Sequence, residues 1–569
     1  MAITLSQRYL NELKKCVNAP NAMIELFLDG SIRRFGYHSR NGWVVTYFRA
    51  DGDYKADGGI YAIGGDDLES FGVEADLKSV SSFQNKLDAK KGYSTRGEIS
   101  FVIAGRDNFK SLISDNYLKN RRVAKKEGFI AQGFTYADYA TTYVGMVTDW
   151  SRSGDELTVT VSDDLVDASI KIPTENETKT QYIDYRNVNP ADIMKNILSV
   201  NLGVSGSYID LAKFASERDT WLNGWKYSRV ITDSKEANEY LNELQVETNS
   251  YLFHDGDKIS LKVFAPPVPS QSVEEWTEET HLIKDSFRQK SGYKDNFYNR
   301  VVVYYDHDES GSSDSADYYD SAVIAIDSAS QDSSEWDEAS TKTLYSKWIK
   351  SITFSQTASI TGVFVYHASK NNGAGAGTLT FTYDAANGNT LQWTPPGGTI
   401  GEAVEITKDG KFDVYGSDST KFIRVLVTTA SLPASGTADT VTITSLDGDK
   451  YALAVARKIL SRFRDPASIV SFDIDINGAA YDSTFIRPTD MKDVTTDEAC
   501  EKGKSSWTRE RLMLTSVKPD VENGKVAIEA AVTRFYRQYG FIAPAGYPDY
   551  GSATDAQKKY AYVGRSYIW

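Results

Sequence analysis

Residues 22 to 170 alternate apolar and polar positions in short runs, the pattern of strands that are buried on one face. The run from Tyr143 to Trp150 is followed by a Ser-Gly-Asp turn and then by Leu157, Val159 and Val161, which a strand would place on one face. This stretch is predicted to be a hairpin. Alternating or short apolar runs predict strands at Ala22 to Phe27, Val44 to Phe48, Ile99 to Ala104, Thr141 to Trp150 and Glu156 to Val161. Residues 1–175 are therefore predicted to form a β-barrel or a β-sandwich.

The pattern becomes helical between residues 185 and 265. Asn189 followed by Pro190 is typical of a helix N-cap and the first helical position. A second helix is expected after Asp233 or Ser234, and the sequence TNSYLFHDGDKISLKVFAPP predicts a hairpin that turns at Asp255 and Gly256. The apolar stripes of the two helices are Ile193, Ile197 and Leu198, and Ala237, Leu241 and Leu244. Residues 176–290 are thus predicted to be an α+β region.

A second β region is divided along the chain. The sequence FYNRVVVYY at 297–305 predicts a strand, and its continuation is expected about 150 residues later. There, KYALAVARKILSRF has helical spacing of its apolar residues and is followed by the alternating strand ASIVSFDIDI. Closing strands are expected at Arg511 to Val517 and at Lys525 to Val532. Residues 291–308 and 449–535 are predicted to form one barrel.

An insertion separates the two parts of that barrel. Residues 309 to 335 are rich in Ser and Asp and are predicted to be an exposed linker. Residues 342 to 446 contain six to eight short β runs between Gly-rich turns, the pattern of a β-sandwich. Such an insertion is tolerable because the free energy of loop closure grows only logarithmically with loop length. The inserted unit is predicted to occupy residues 309–448.

Composition narrows the class of protein. The 569 residues carry a formal net charge of −15, which argues against binding to the phosphate backbone of nucleic acid. The N-terminal sequence lacks the apolar core of a signal peptide, and no run approaches the roughly 18 apolar residues of a membrane span. Synthesis in the cytoplasm is therefore expected.

Groups that could carry catalysis are scarce. Five histidines are scattered without the spacing of a metal site, and the two cysteines, Cys16 and Cys500, lie at opposite ends of the chain. Neither a nucleophile elbow nor a phosphate loop occurs. No catalytic residue and no cofactor is predicted, and the chain is not expected to be an enzyme. With 78 carboxylates, a pair that hydrolyses polysaccharide stays open as an alternative.

One acidic stretch has the spacing of a calcium loop. Asp306, Asp308 and Ser310 match positions 1, 3 and 5 of an EF-hand-like loop. Asp317 stands at position 12, where a bidentate Glu is usual, and neither flank has a helical pattern. A solvated acidic loop is the default interpretation, and calcium binding is the alternative.

Three aromatic residues in or beside the insertion could stack on a sugar ring: Trp348, Tyr366 and Trp393. Because alternation places about half of a strand's side chains inside, core positions would explain them equally well. Glycan contact and core packing both stay open at this point.

The run from Tyr539 to Gly564, YGFIAPAGYPDYGSATDAQKKYAYVG, carries a family motif. It has an aromatic-Ile-Ala-Pro entry, a Gly-x-Pro-Asp-Tyr turn and a Ser-Ala-Thr start of a short helix that returns to a second aromatic pair. It resembles a motif of the tail-tip proteins of long-tailed, non-contractile phages, the siphophage baseplate hub family. The order helix, helix, hairpin in the middle region and the helix KYALAVARKILSRF resemble that family more loosely.

The resemblance implies a mainly β fold with an α+β middle domain. In that fold, residues 1–175 and residues 291–308 with 449–535 are two tail-tube-like β-barrel hub domains. Residues 176–290 are a small α+β domain pair, residues 309–448 an inserted β-sandwich with an acidic linker, and residues 536–569 a C-terminal docking segment.

The resemblance also implies a virion structural protein, a homotrimeric central hub at the distal end of a phage tail. Three chains would offer six similar barrels and so close a six-fold tail tube. The implied partners are the distal tail protein, the tape-measure protein and a central tail fibre. The alternative function is a receptor- or glycan-binding tail protein that attaches to the host surface through the inserted sandwich.

Aromatic residues and prolines concentrate in the C-terminal docking segment, which is too short for a core of its own. They are therefore expected to pack on a neighbouring protein surface. The residues are Phe541, Pro544, Tyr547, Pro548, Tyr550 and Tyr560.

Overall fold

A computed structural model of the chain describes residues 5–13, 20–37, 71–88, 93–131, 134–162, 170–174, 183–231, 234–255, 258–265, 273–290, 297–307, 314–327, 340–356, 362–367, 377–384, 390–394, 404–405, 410–415, 422–427, 438–464, 468–475, 486–501, 504–520 and 524–533. Between residues 352 and 445 this description covers the backbone only. The fold is mainly β, as predicted.

Seven strands close into the N-terminal barrel, which confirms the predicted first barrel. Alternation builds it, because Ile99, Phe101 and Ile103 point into the barrel core while the residues between them are half-buried. The strands, in order around the barrel, are β1 Pro20–Leu28, β2 Ser31–Tyr37, β3 Val73–Val80, β6 Ile99–Ala104, β9 Glu156–Ser162, β8 Ala140–Ser153 and β7 Arg122–Phe129. Helix α1 Gln7–Leu13 precedes the barrel, and α2 Arg106–Asp115 connects β6 to β7. The predicted strand Val44 to Phe48 lies outside the described residues.

The C-terminal sheet takes strands from distant parts of the chain. Its order is β16 Glu275–Thr277, β30 Met491–Thr496, β31 Trp507–Asp520, β32 Lys525–Val532, β29 Ile469–Asp475 and β17 Arg288–Lys290. A hairpin of the N-terminal barrel, β4 Asn85–Asp88 and β5 Tyr93–Arg96, joins it through β31. The described strands thus form an open sheet, and β16 and β17 are its edge strands.

The predicted second barrel needs correction in its membership. The strand at 297–305 is present as β18 Arg300–His307, but it pairs in a different sheet. Its place in the C-terminal sheet is taken by β16 and β17, which were expected in the α+β region. The alternation of β18 predicts a strand with one buried face. Because any apolar surface can cover such a face, the pattern does not tell which sheet the strand joins.

The α+β region contains α3 Pro190–Asn196, a π-helical turn Ile197–Asn201, α4 Leu211–Trp221 and α5 Ala237–Thr248. The Asn189 side chain accepts a hydrogen bond from the Ala191 backbone N–H at 3.0 Å, which confirms the predicted cap. The strand pairs are β10 Lys171–Ile172 with β13 Lys235–Glu236, β11 Ile183–Val188 with β12 Tyr227–Ile231, and β14 Ser250–Asp255 with β15 Lys258–Val263. Single 3-10 turns lie at Tyr136–Asp138, Gly206–Tyr208 and Ala316–Tyr318.

A three-stranded sheet and a long helix complete this part of the molecule. The sheet has the order β19 Tyr319–Ile326, β18 and β20 Thr341–Tyr345, and it packs on α6 Gly448–Phe463. Residues 172–265, this sheet and α6 share one cluster of buried side chains, here called the central core. The region 309–350, predicted as linker and insertion, therefore contains two strands of the host fold.

The described residues of the insertion form eight strands in two antiparallel sheets, in agreement with the six to eight strands that the sequence predicts. One sheet has the order β21 Ile352–Gln356, β28 Ala438–Ser445, β23 Gly377–Asp384, β24 Thr390–Thr394 and β25 Val404–Glu405. The other has the order β22 Gly362–His367, β27 Phe422–Val427 and β26 Gly410–Tyr415. The Leu446 backbone N–H donates to the Ser351 carbonyl at 2.7 Å, so the two ends of the insertion lie side by side.

Candidate assembly surfaces

The N-terminal barrel and the C-terminal sheet share a core at their junction. Side chains of α1, of the barrel wall and of the C-terminal sheet belong to one buried cluster. Tyr9 of α1 contacts Phe129 of the barrel edge-on, with ring centroids 5.1 Å apart. Next to the bridging hairpin, Gln84 Nε2 donates to Ser516 Oγ at 2.7 Å. Shared strands and shared apolar contacts therefore join these two β units.

A polar cluster lies on the barrel wall beside that junction. Arg34 Nε donates to Glu25 Oε1 at 2.9 Å, and the Tyr136 hydroxyl donates to the same carboxylate. Burial and the neighbouring Glu25 raise the pKa of Tyr136 to about 12. The Phe71 ring stacks on Tyr136 with centroids 4.4 Å apart and stays partly exposed. This cluster is built from charge pairs and a neutral phenol, and such an arrangement fixes strands to each other.

The segment that enters the insertion is anchored in the central core. Trp348 is fully buried, and its indole Nε1 donates to Glu243 Oε2 at 2.9 Å. The guanidinium carbon of Arg229 lies 4.7 Å from the centroid of the same ring. The prediction that Trp348 contacts a glycan is therefore wrong, because its ring is covered on all sides by the protein. Core packing was the alternative that the sequence left open.

A buried carboxyl group reinforces this anchor. Ser346 Oγ donates to Glu247 Oε2 at 2.8 Å and accepts from the Ile349 backbone N–H at 3.1 Å. Burial is the main cause that raises the pKa of Glu247 to about 8, so this side chain is predominantly protonated at neutral pH. A neutral acid is the form that an apolar core tolerates.

Asp306 also ties the host fold to the insertion. Both of its carboxylate oxygens are used, since one accepts from the Ser351 backbone N–H at 2.6 Å and the other from the Ser351 hydroxyl at 2.5 Å. Burial raises the pKa of Asp306. Asp308 and Ser310, the other members of the predicted calcium loop, lie outside the described residues. Within the described ranges, no group of three His, Cys, Asp or Glu side chains is placed to hold a metal ion.

The two remaining glycan candidates lie on different sheets of the insertion. Tyr366 is on β22, opposite Ile423, and Trp393 is on β24, opposite Phe381. Their side chains are outside the described part of the structure, and the sugar-stacking prediction stays a prediction. The six docking candidates, Phe541, Pro544, Tyr547, Pro548, Tyr550 and Tyr560, lie outside the described residues as well.

Sequence reasoning missed a buried lysine in α6. Lys458 is 3% exposed, and its Nζ has no hydrogen-bond partner among the described residues. Nζ lies 4.6 Å from the centroid of the Trp225 ring, and burial lowers the pKa of Lys458 to about 7. The helix is packed on several sides by the central core, which buries even positions outside its apolar stripe. The sequence carries no local signal for that.

Two further observations concern the described residues alone. None of their helices combines the length and the apolar content needed to cross a membrane. Cys500 is exposed and has a free thiol.

No family model matches this sequence, and no curated protein matches it. Solved structures with some similarity include the 43 kDa tail protein of prophage MuSo2 from Shewanella oneidensis, at 10% identity and a TM-score of 0.35, covering 90% of this chain and 96% of that chain. The prophage tail protein gp18 from Listeria monocytogenes EGD-e has 8% identity and a TM-score of 0.36, covering 80% and 90%. A chain of the virion of a native gene transfer agent particle has 8% identity and a TM-score of 0.20, covering 80% and 88%. All three are tail or virion proteins, and superpositions this distant carry no argument about this chain.

Proposed function

We propose that the chain is a structural protein of a phage virion and forms the central hub at the distal end of the tail. The observation that carries the proposal is the closed N-terminal barrel fused, through β4 and β5, to a second large sheet of the same chain. Two β units joined in one chain would let a trimer present six surfaces to a six-fold tube. The hub-like motif between Tyr539 and Gly564 adds independent support from the sequence.

In this function the hub contacts the distal tail protein, the tape-measure protein and a central tail fibre. The side chains described above serve assembly, since they form cores, caps and ion pairs that hold strands together. The proposal excludes catalysis by this chain as its main role. A reconstruction of the tail end tests the proposed three-fold symmetry and should show three copies of the chain around the tail axis. A six-fold ring of this chain would contradict it.

A truncation after Gln538 tests the docking segment. We expect the described fold to persist, because every described residue precedes Gln538, and the thermal melt of the purified chain should shift little. Tails assembled with the truncated chain should lose the central fibre or a neighbouring hub subunit, because the docking segment supplies apolar area for that contact. Electron microscopy of the particles and a plaque assay measure this.

The matched control is the full chain with Phe541→Ala, Tyr547→Ala and Tyr550→Ala. It keeps the length of the segment and removes three of the six side chains that we assign to docking. Complete, infectious particles from both variants would contradict the docking role.

A second candidate function is host attachment through the insertion. It is favoured by the anchor at Ser346 and Trp348, which ties the segment leading into the insertion to the central core. Tyr366→Ala and Trp393→Ala should then weaken adsorption of virions to cells without changing tail assembly.

A further inference from the structure

Strand β19 lies at one edge of the three-stranded sheet. It pairs with β18 from Arg300 opposite Ile326 to His307 opposite Tyr319. Among the residues that the structure describes, no strand pairs with the outer edge of β19. An edge of this kind presents backbone N–H and C=O groups that another strand can bind.

The two faces of β19 differ in what they contact. Val323 and Ala325 face the central core, whereas Ile324 and Ile326 point away from it and are 48% and 51% exposed. On the same outer face, the rings of Tyr304 and Tyr345 stack with centroids 5.3 Å apart. Exposed isoleucines beside an edge that lacks a strand partner among the described residues are a combination that soluble proteins normally cover.

The sequence around β19 is acidic. From Val301 to Thr341 it contains eleven Asp and Glu residues and no Lys or Arg. Two basic residues border this stretch in the fold, since Arg300 lies opposite Ile326 and Arg464 pairs with Asp327 at 2.7 Å. Asp314 and Asp317, just before β19, are exposed. A second copy of β19 on this edge would bring like charges together, whereas a basic strand would be attracted.

The chain contains a segment of matching chemistry. Residues 558–569, KKYAYVGRSYIW, have three basic residues, no acidic residue and a high content of the aromatic and β-branched residues that favour strands. Thr533 is the last described residue, at the end of β32. The 24 residues between Thr533 and Lys558 can span up to roughly 80 Å when extended, enough to reach another face of the same chain.

We propose that residues 558–569 add as a strand to the outer edge of β19 in the same chain. Backbone hydrogen bonds would supply the pairing, and Ile324 and Ile326 would be covered by the aromatic side chains of the segment. Lys558, Lys559 and Arg565 would face the acidic surroundings of the edge. Residues 534–557 link the segment to β32 of the same chain, so the contact is intramolecular and forms at a high effective concentration. This inference refines the docking role proposed above and leaves residues 539–557 available to other tail proteins.

Hydrogen exchange on the purified chain tests the inference without any tail assembly, so its failure would leave the hub proposal standing. Amides of 319–326 are measured in the full chain and in a chain that ends at Gln557. We expect the amides of this stretch that do not donate to β18 to exchange at least tenfold faster in the shortened chain, because only these N–H groups point to the outer edge. Amides of β12 serve as the internal control and should exchange at the same rate in both.

Three additions make the result specific. A synthetic peptide of residues 558–569 should restore slow exchange to the shortened chain, and the same peptide with Ala561→Pro and Val563→Pro should not, because proline cannot donate the backbone hydrogen bond. The variant Ile324→Lys with Ile326→Lys should lose protection in the full chain. The matched variant Ile170→Lys, at an isoleucine that is 54% exposed elsewhere, should keep it.

Equal exchange of 319–326 in the full and shortened chains would overturn the proposal. So would equal protection by the proline-containing peptide, which would indicate adsorption of a basic peptide without strand pairing. Protection that appears only as the protein concentration rises, together with a dimer in sedimentation, would also overturn it in favour of pairing between copies.

Discussion

The N-terminal barrel and the central core bury their side chains in different ways. The barrel core uses one stretch of chain, from Ile24 to Val161, and the buried charges on the barrel strands, Glu25 and Lys125, lie in ion pairs. The central core collects residues from Ile172 to Phe463 across the insertion, and it also encloses ionisable groups such as Glu247 and Lys458. The buried charges of the barrel are thus paired, whereas the central core contains groups whose protonation changes with pH.

Two buried lysines make the difference concrete. Lys125, on the barrel strand β7, is 4% exposed, and its Nζ lies 2.7 Å from Glu127 Oε1 and 3.4 Å from the Ser81 carbonyl. Lys458 is equally buried, and the described residues offer its Nζ only the face of Trp225. A buried charge with partners stabilises the fold, and one without partners destabilises it. The same residue type should therefore respond to substitution with opposite signs in the two regions.

The largest effect is expected for Lys458→Met, which should stabilise the protein. The pKa of Lys458 falls from 10.5 in the unfolded chain to about 7 in the fold, so the folded state opposes protonation. The penalty is full below pH 7 and vanishes as the pH rises towards 10.5. By linkage the variant should gain roughly 3–4 kcal/mol at pH 7, less the lost attraction to Trp225.

Urea unfolding at pH 6, 7 and 9 measures this gain, which should shrink at the highest pH. Lys450→Met, at an exposed position of the same helix, is the control and should change the unfolding free energy by less than about 0.5 kcal/mol. A destabilised Lys458→Met variant would show that the amine has a partner that it needs.

Glu247→Gln should remove a pH dependence of the central core. The pKa of Glu247 rises from 4.5 to about 8 on folding, so the folded state holds a proton that the unfolded state releases. Stability contributed by this group is therefore present below pH 4.5 and is lost as the pH rises to 8. In the wild-type chain this group should make the free energy of unfolding roughly 3 kcal/mol larger at pH 5 than at pH 8. In the Glu247→Gln variant that difference should be absent.

Thermal melts across that pH range, compared with the exposed control Glu239→Gln, provide the measurement. An unchanged pH slope in Glu247→Gln would mean that the buried group is already ionised at pH 5.

Lys125→Met should destabilise the barrel, opposite in sign to Lys458→Met. The substitution leaves the mostly buried Glu127 without its cation, a loss of about 1–3 kcal/mol. Adding Glu127→Gln should recover part of the loss, because the two residues form one interacting pair. Lys78→Met, at an exposed ion pair of the same barrel, should have little effect on the urea midpoint. Equal losses of unfolding free energy in Lys125→Met and Lys78→Met would show that burial of the Lys125 ion pair does not stabilise the barrel.

The smallest effect is expected from deleting the insertion at its structural ends. Joining Ser351 to Leu446 through a short Gly-Ser linker removes no member of the central core. The melting temperature should stay within a few degrees of that of the full chain, since about 1 kcal/mol or less is lost. The wider deletion of 341–447 also removes Trp348 and Ile349 and should abolish the cooperative melt. If both deletions melt alike, the anchor does not hold the insertion to the core.

Alternation and capping chemistry predicted local structure well, because these signals depend on near neighbours in the chain. The hairpin of β8 and β9 and the cap at Asn189 are both confirmed. The same signals cannot say which strand lies next to which. Thus β18 was expected in the second barrel and instead pairs with β19 and β20, and the serine- and aspartate-rich context of β19 suggested a linker where a strand of the host fold lies.

The sequence by itself determined the mainly β class, the helices of the middle region and the existence of an inserted unit, because the period of apolar residues follows from local geometry. Only the tertiary structure decided that Trp348 is a core residue, that β16 and β17 complete the C-terminal sheet, and that Lys458 is buried with no hydrogen-bond partner among the described residues. Each of these depends on contacts between residues that are distant along the chain. The free energy of such contacts comes from surface buried by the whole fold, and no window of the sequence contains it.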